Sequence, residues 1–183
     1  MMDVIRPIFT VENLAQLPDD GKRYEILEGD LAVSPSPNPR HQRIVLNCAE
    51  FLRTLEHQGY GAVYTAPLDV ILDHYNVVEP DVIFVSQEHL DIVTDANVQG
   101  APDLVVEVLS SSSRERDLGL KARLYARFGV NEYWVVDPES ETLIVWQLTA
   151  EGYVEVGAFR AGDTYQSPLC PTIPLAIAEC FRP

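Results

Sequence analysis

The chain has 183 residues, 46% hydrophobic and 22% charged, a composition that suits one domain, residues 1–183, and excludes a disordered chain, a collagen or a coiled coil. No apolar run approaches the ~20 residues of a membrane span, and the opening MMDVIRPIFTVENL lacks a basic segment followed by an apolar stretch, so no membrane association is expected and the expected home is the cytoplasm. With 28 acidic against 13 basic residues the net charge is −15, which argues against the broad basic surface of most nucleic-acid binders but leaves room for a protein that meets DNA through a small patch or a metal.

The first expected element is a short helix over residues 10–17, with Thr10 as N-cap. Tyr24–Leu27 and Leu31–Ser34 flank Glu28-Gly29-Asp30 and read as an N-terminal hairpin. A proline-rich loop follows at residues 34–39. From His41 to His57 apolar residues recur at helical spacing, and Gly59 and Gly61 end that helix. Three strands are expected next, over Ala62–Leu72, Val77–Val85 and Leu104–Leu109, the last apolar enough to be covered on both faces. A helix over Arg114–Phe128 stops at Gly129. Strands Glu132–Val136, Thr142–Leu148 and Gly152–Phe159 come after it, and then a tail with a short helix near Ala176–Cys180. The fold class is α/β, a mixed sheet flanked by helices with core order αβββαβ. Cys48, Cys170 and Cys180 are odd in number and form no CxxC pair, so reduced structural thiols are expected. The four histidines offer no zinc-spaced partner for them.

Charged residues inside apolar elements carry the chemistry. Glu107 lies in PDLVVEVL, on the same strand face as Val105 and Leu109, where a carboxylate is costly without a cation, a metal or hydrogen bonds. A Glu at an exposed strand end, or one paired with arginine, would look the same. Asp81 opens an apolar strand after Pro80, and a turn aspartate bonding its own backbone is its simpler reading. Glu79, on the same pleat, is either a third carboxylate or solvated. Lys121 shares a helix face with Leu118, Tyr125 and Phe128, the apolar stripe of that helix. A snorkelling lysine would fit too, yet 11 of the 13 basic residues are Arg, and a compact ammonium suits a site beside carboxylates better than a planar guanidinium. If the helix packs back on the sheet, Asp81, Glu107 and Lys121 converge. Two carboxylates suit a hard divalent ion such as Mg²⁺, and such an ion with a lysine is what phosphodiester hydrolysis requires.

Together, RYEILEGDL at Arg23–Leu31, PRHQ at Pro39–Gln42, Glu79-Pro80-Asp81, PDLVVEVLS at Pro102–Ser110, RDLGLK at Arg116–Lys121 with Tyr125, and EYWVVDP at Glu132–Pro138 resemble the Uma-two family of restriction-endonuclease-like proteins over roughly residues 10–180. The resemblance implies the PD-(D/E)xK nuclease fold, with Asp81 as the PD aspartate and Glu107 as the second acidic ligand. The residue two after Glu107 is Leu109 rather than lysine, and the resemblance implies that Lys121 takes the lysine role. Glu25 and His41 match family positions and become pocket candidates, whereas Arg116 and Asp117 are expected to form ion pairs on the helix surface.

The resulting expectation is a Mg²⁺-dependent endonuclease acting on DNA, with Mn²⁺ as substitute, in which Asp81, Glu107 and the Val108 carbonyl hold the metal, Lys121 and Glu25 complete the catalytic set, and a homodimer cuts both strands. The alternative, supported by the −15 charge, is a catalytically inactive nuclease fold serving as a binding or assembly module. A sugar hydrolase using Asp81 and Glu107 ranks below both, since the chain shows no aromatic groove pattern.

Overall fold

The computed structural model describes residues 7–18, 20–169 and 171–183. Cys170 and the first six residues lie outside the described residues. Cys48 and Cys180 are free and buried.

Helix α1 (Val11–Leu14) is short, because the Thr10–Asn13 capping box serves barely more than one turn. Strands β1 (Arg23–Leu27) and β2 (Asp30–Ser34) pair antiparallel. Their two-residue turn has positive φ at both Glu28 (54°) and Gly29 (81°), the twist that matches paired strands. Helix α2 (Pro39–His57) begins two residues before the expected His41, because the Asn38 side chain caps it by accepting from the His41 N–H and proline is well tolerated at its first position.

Prolines break two of the expected strands. Ala62–Leu72 divides into β3 (Gly61–Thr65) and β4 (Val70–Asp73), with Pro67 between them. Val77–Val85 divides into β5 (Asn76–Val78) and β6 (Val82–Ser86) around Glu79-Pro80-Asp81, since Pro80 has no N–H for a ladder. The expected common pleat of Glu79, Asp81 and Ile83 therefore does not exist. At each break the chain passes from one sheet to another. Strands β7 (Val98–Gln99), β8 (Leu104–Val108), β9 (Glu132–Asp137), β10 (Thr142–Thr149) and β11 (Gly152–Arg160) complete two mixed sheets. Their orders are β2-β1-β5-β4-β7 and β11-β10-β9-β8-β6-β3. A small pair, β12 (Thr164–Tyr165) with β13 (Leu175–Ala176), and a 3₁₀ turn at Ile177–Phe181 close the described chain.

The larger sheet is the middle layer. One face carries Val82, Phe84, Leu104, Val106 and Val108 against Ile44, Val45, Cys48 and Leu52 of α2. The other face carries Ile83, Val85, Val105 and Leu109 against Leu124 and Tyr125 and against Leu27, Val70 and Val78 of the smaller sheet. Helix α2, then β3, β6 and β8, then a helix, then β9 reproduces the αβββαβ order, with β4, β5 and β7 inserted as strands of the smaller sheet.

The helix after β8 departs from a regular α-helix. It consists of α3 (Arg114–Arg116), a π-helical turn over Asp117–Lys121, and α4 (Ala122–Phe128). Its fully buried residues are Asp117, Lys121, Leu124 and Tyr125, whereas Leu118 and Phe128 of the expected stripe are only half-buried. The widened turn changes the phase of the face and turns Asp117 inward.

Candidate active site

Register extends Val82↔Val106 by one step to set Asp81 opposite Glu107, at the end of β6 and β8 where the two sheets meet. β1 delivers Glu25 and Arg23 from the smaller sheet, two residues apart and so on one face. The π turn delivers Asp117 and Lys121, and α2 delivers His41. All of these line one cavity of about 210 Å³, together with Val108, Arg116, the Ser34–Asn38 loop and the Ser110–Ser113 turn.

Lys121 is 2% exposed. Its Nζ lies 2.6 Å from Glu25 Oε1, 2.7 Å from Glu107 Oε1 and 3.9 Å from Asp117 Oδ1. Burial disfavours the ammonium, but Glu107, Glu25 and Asp117 outweigh it and hold the lysine protonated. The Tyr125 hydroxyl also donates to Glu107 Oε1, at 2.7 Å. Glu107 Oε2 has no hydrogen bond within the described residues. Burial pushes the Glu107 carboxyl up to about 8, against the pull of Lys121 and with Asp117, Asp81 and Glu25 adding to the rise. The Glu25 Oε1 atom also accepts from the Glu79 N–H at 3.0 Å, which fixes the carboxylate over the ammonium.

Asp81 is bound differently. Its Oδ1 accepts from Arg23 Nη1 at 2.9 Å, and its Oδ2 accepts from the Val108 N–H at 2.8 Å with His41 Nε2 at 3.3 Å. Burial favours the neutral acid, yet the His41 hydrogen bond, the Arg23 guanidinium and Val108 hold it below its ordinary range. His41 Nε2 is also 3.0 Å from the Val108 carbonyl, an acceptor only, so that nitrogen carries the proton. The turn aspartate bonding its own backbone is thus replaced by one bonding three other segments of the chain.

Two expectations are corrected here. Asp117 is 2% exposed and faces the cleft, because of the π turn. Arg116 reaches Ser34 Oγ at 2.7 Å and lies 3.7 Å from Glu25 Oε2, rather than pairing on the helix surface. Arg23 had no expected role beyond its place in the motif. Its alternation with Glu25 on one strand was the available signal.

With every group ionised, five carboxylates (Glu25, Glu79, Asp81, Glu107 and Asp117) face three cations (Arg23, Arg116 and Lys121), an excess of two negative charges. That excess, the unpartnered Glu107 Oε2 and the hard oxygen donors of Asp81 and Val108 fit a divalent ion. Among the described residues no three His, Cys, Asp or Glu side chains gather as a ready metal cage. Mg²⁺ needs no such cage, since it takes one or two carboxylates and completes its shell with water and phosphate.

Residues 11–178 match the sequence profile of Uma2, described as "Putative restriction endonuclease". The chain belongs to the Uma2 family. No curated protein matches it. Among solved structures it resembles one described as "a putative nuclease belonging to DUF820 from Anabaena variabilis", with TM-score 0.79 and 18% identity over 94% of this chain and 97% of that one. At that identity the likeness speaks for the fold. The Uma2 fold and the cleft are therefore two separate observations, one from similarity and one from geometry. No helix of the described residues is long and apolar enough to cross a membrane.

Proposed function

We propose that this Uma2 protein is a metal-dependent endonuclease that hydrolyses DNA phosphodiester bonds at the cleft of Asp81, Glu107 and Lys121. The observation that carries the reading is the buried Lys121 ammonium held between Glu25 and Glu107, beside Asp81. Stability alone is a weak account of such a cluster, because a buried ionic group is often no better than well-packed apolar residues.

Asp81, Glu107 and the Val108 carbonyl would hold Mg²⁺, or Mn²⁺ in its place. When bound, the ion would acidify a water and offset charge on the scissile phosphate. Lys121 donates a hydrogen bond that holds the attacking water in line with the leaving 3′ oxygen. Glu25 keeps that ammonium charged and aimed. His41 and Arg23 fix the Asp81 carboxylate, and Tyr125 fixes Glu107.

Cleavage of plasmid and of single-stranded circular DNA in Mg²⁺ or Mn²⁺ tests the reading. Asp81→Ala and Glu107→Ala should each lower the rate at least about a hundredfold. Cleavage that persists unchanged in both variants rejects the assignment. Cutting both strands of a duplex would call for a two-fold dimer, which sedimentation would reveal. The second reading, a binding or assembly module without activity, draws on the −15 charge and on Asp81 having both oxygens engaged by the protein. Calorimetric titration separates the two, since the module takes up neither Mg²⁺ nor Mn²⁺.

A further inference from the structure

The three cations of the cleft are not equivalent. Lys121 is closed in by two carboxylates within 2.7 Å. Arg23 is spent on Asp81 and on the Glu79 carbonyl. Arg116 differs. Its one hydrogen bond goes to a neutral group, Ser34 Oγ, and its nearest carboxylate oxygen is 3.7 Å away. Its Nε, like that of Arg23, is buried without a hydrogen-bond partner among the described residues, so what sets the two apart is that Arg23 bonds a carboxylate and Arg116 does not. It lines the cavity between the Ser34–Asn38 loop and the hydroxyls of Ser110–Ser113. A guanidinium with an unused donor, flanked by hydroxyls, is the group that takes a phosphate oxygen pair.

The rest of the surface offers little to a nucleic-acid backbone. Lys22, Arg40, Arg53, Arg114, Arg127 and Arg182 each lie within 3.3 Å of a carboxylate oxygen. A duplex presents one charge per ~1.7 Å of axis, and proteins that grip it neutralise several phosphates at once. At −15 the chain has most of its cations already paired, leaving Arg43, Arg123 and Arg160 exposed without a carboxylate partner among the described residues. The acidic groups are also recessed, with Asp81 and Glu107 each 3% exposed. A strand must enter the cleft for its phosphate to reach them.

We propose that Arg116, with the Ser34 and Ser110–Ser113 hydroxyls, is the phosphate anchor of this cleft, and that the strand it takes is single-stranded DNA rather than a duplex. The proposal rests on the nuclease reading for the identity of the cleft and adds its substrate class. One anchored phosphate carries the electrostatic part of binding. Affinity then depends weakly on salt, with a log–log slope of about −0.7.

Fluorescence anisotropy with a short labelled oligodeoxynucleotide, single-stranded or annealed, in Ca²⁺ and over a range of salt, tests this. The single strand should bind about tenfold more tightly than the duplex, with that shallow slope. Arg116→Ala should weaken it about tenfold and flatten the slope, and Arg116→Lys should recover part of the loss. Arg123→Ala, at an exposed cation outside the cleft, should change nothing. Equal or tighter duplex binding, a slope of several units, an unchanged Arg116→Ala, or no binding of either oligonucleotide overturns the proposal. Cleavage of the same oligonucleotides in Mn²⁺ is read separately. Single-strand binding that depends on Arg116 without cleavage leaves the anchor standing and removes the nuclease reading. Duplex cleavage indifferent to Arg116 does the reverse.

Discussion

Lys121 is the residue on which the cleft is most dependent. Replacing it by Met leaves Glu25, Glu107 and Asp117 facing one another without a cation. Breaking a buried ionic cluster in this way should cost about 3–5 kcal/mol. The loss should be smaller at pH 5 than at pH 8, because the Glu107 and Asp117 carboxyls, which burial pushes up, can then take up protons. Urea denaturation at the two pH values measures both effects. Glu107 gives a second prediction with a definite sign. Burial raises its folded-state pKa from the ordinary 4.5 to about 8. The native state therefore holds a proton that the unfolded chain releases, and the stabilisation present below about 4.5 is lost as pH rises toward about 8. Glu107→Gln should remove this dependence, raising metal-free stability at pH 8 by on the order of a few kcal/mol while leaving it nearly unchanged at pH 5. A variant with the same pH slope as the parent would show that the carboxyl is ionised throughout.

At the scale of elements, backbone breaks place the site. Pro80 ends a ladder and lets the chain cross between sheets, which leaves Asp81 at the crossing with its side chain against the end of β8. The π turn does the same for Asp117. Pairing of β3 with β6, the outer pair of the larger sheet, rests on a close approach at Gly61, where a Cβ would sit 2.1 Å from the Val85 carbonyl oxygen. Gly61→Ala must push the strands apart and should cost about 1–3 kcal/mol by thermal denaturation. Because β6 also presents Asp81, the same variant should lower cleavage. The helices and strands that follow simple periodicity or apolar runs, α2, β8, β9 and β10, stand within about two residues of where the sequence puts them. The two expected strands that contain a proline and the expected helix that contains the π turn are the ones that divide, because pattern reports which residues are apolar and not where a ladder loses a donor.

For the whole molecule, charge is the controlling quantity. A net −15 on a chain of this size repels itself. Moderate salt screens this repulsion, so melting temperature should rise by a few degrees between low and physiological ionic strength, measurable by calorimetry. Mg²⁺ at the same ionic strength should raise it further if the cleft takes up the ion, and Asp81→Ala should abolish that extra rise.

The sequence by itself determined the order of the core elements and the identity of the chemically expensive residues. An acid or an amine within an apolar run must be compensated wherever the chain goes, and that is why Glu107 and Lys121 could be singled out before any contact was known. Only the tertiary structure decided what compensates them. It set Glu25 of one sheet on Lys121 beside the other, gave Asp81 to Arg23 and His41, and turned Asp117 and Arg116 toward the cleft. These contacts join positions as far apart as Glu25 and Lys121, 96 residues along the chain, and they depend on two strand breaks and one widened helical turn that one-dimensional periodicity does not encode.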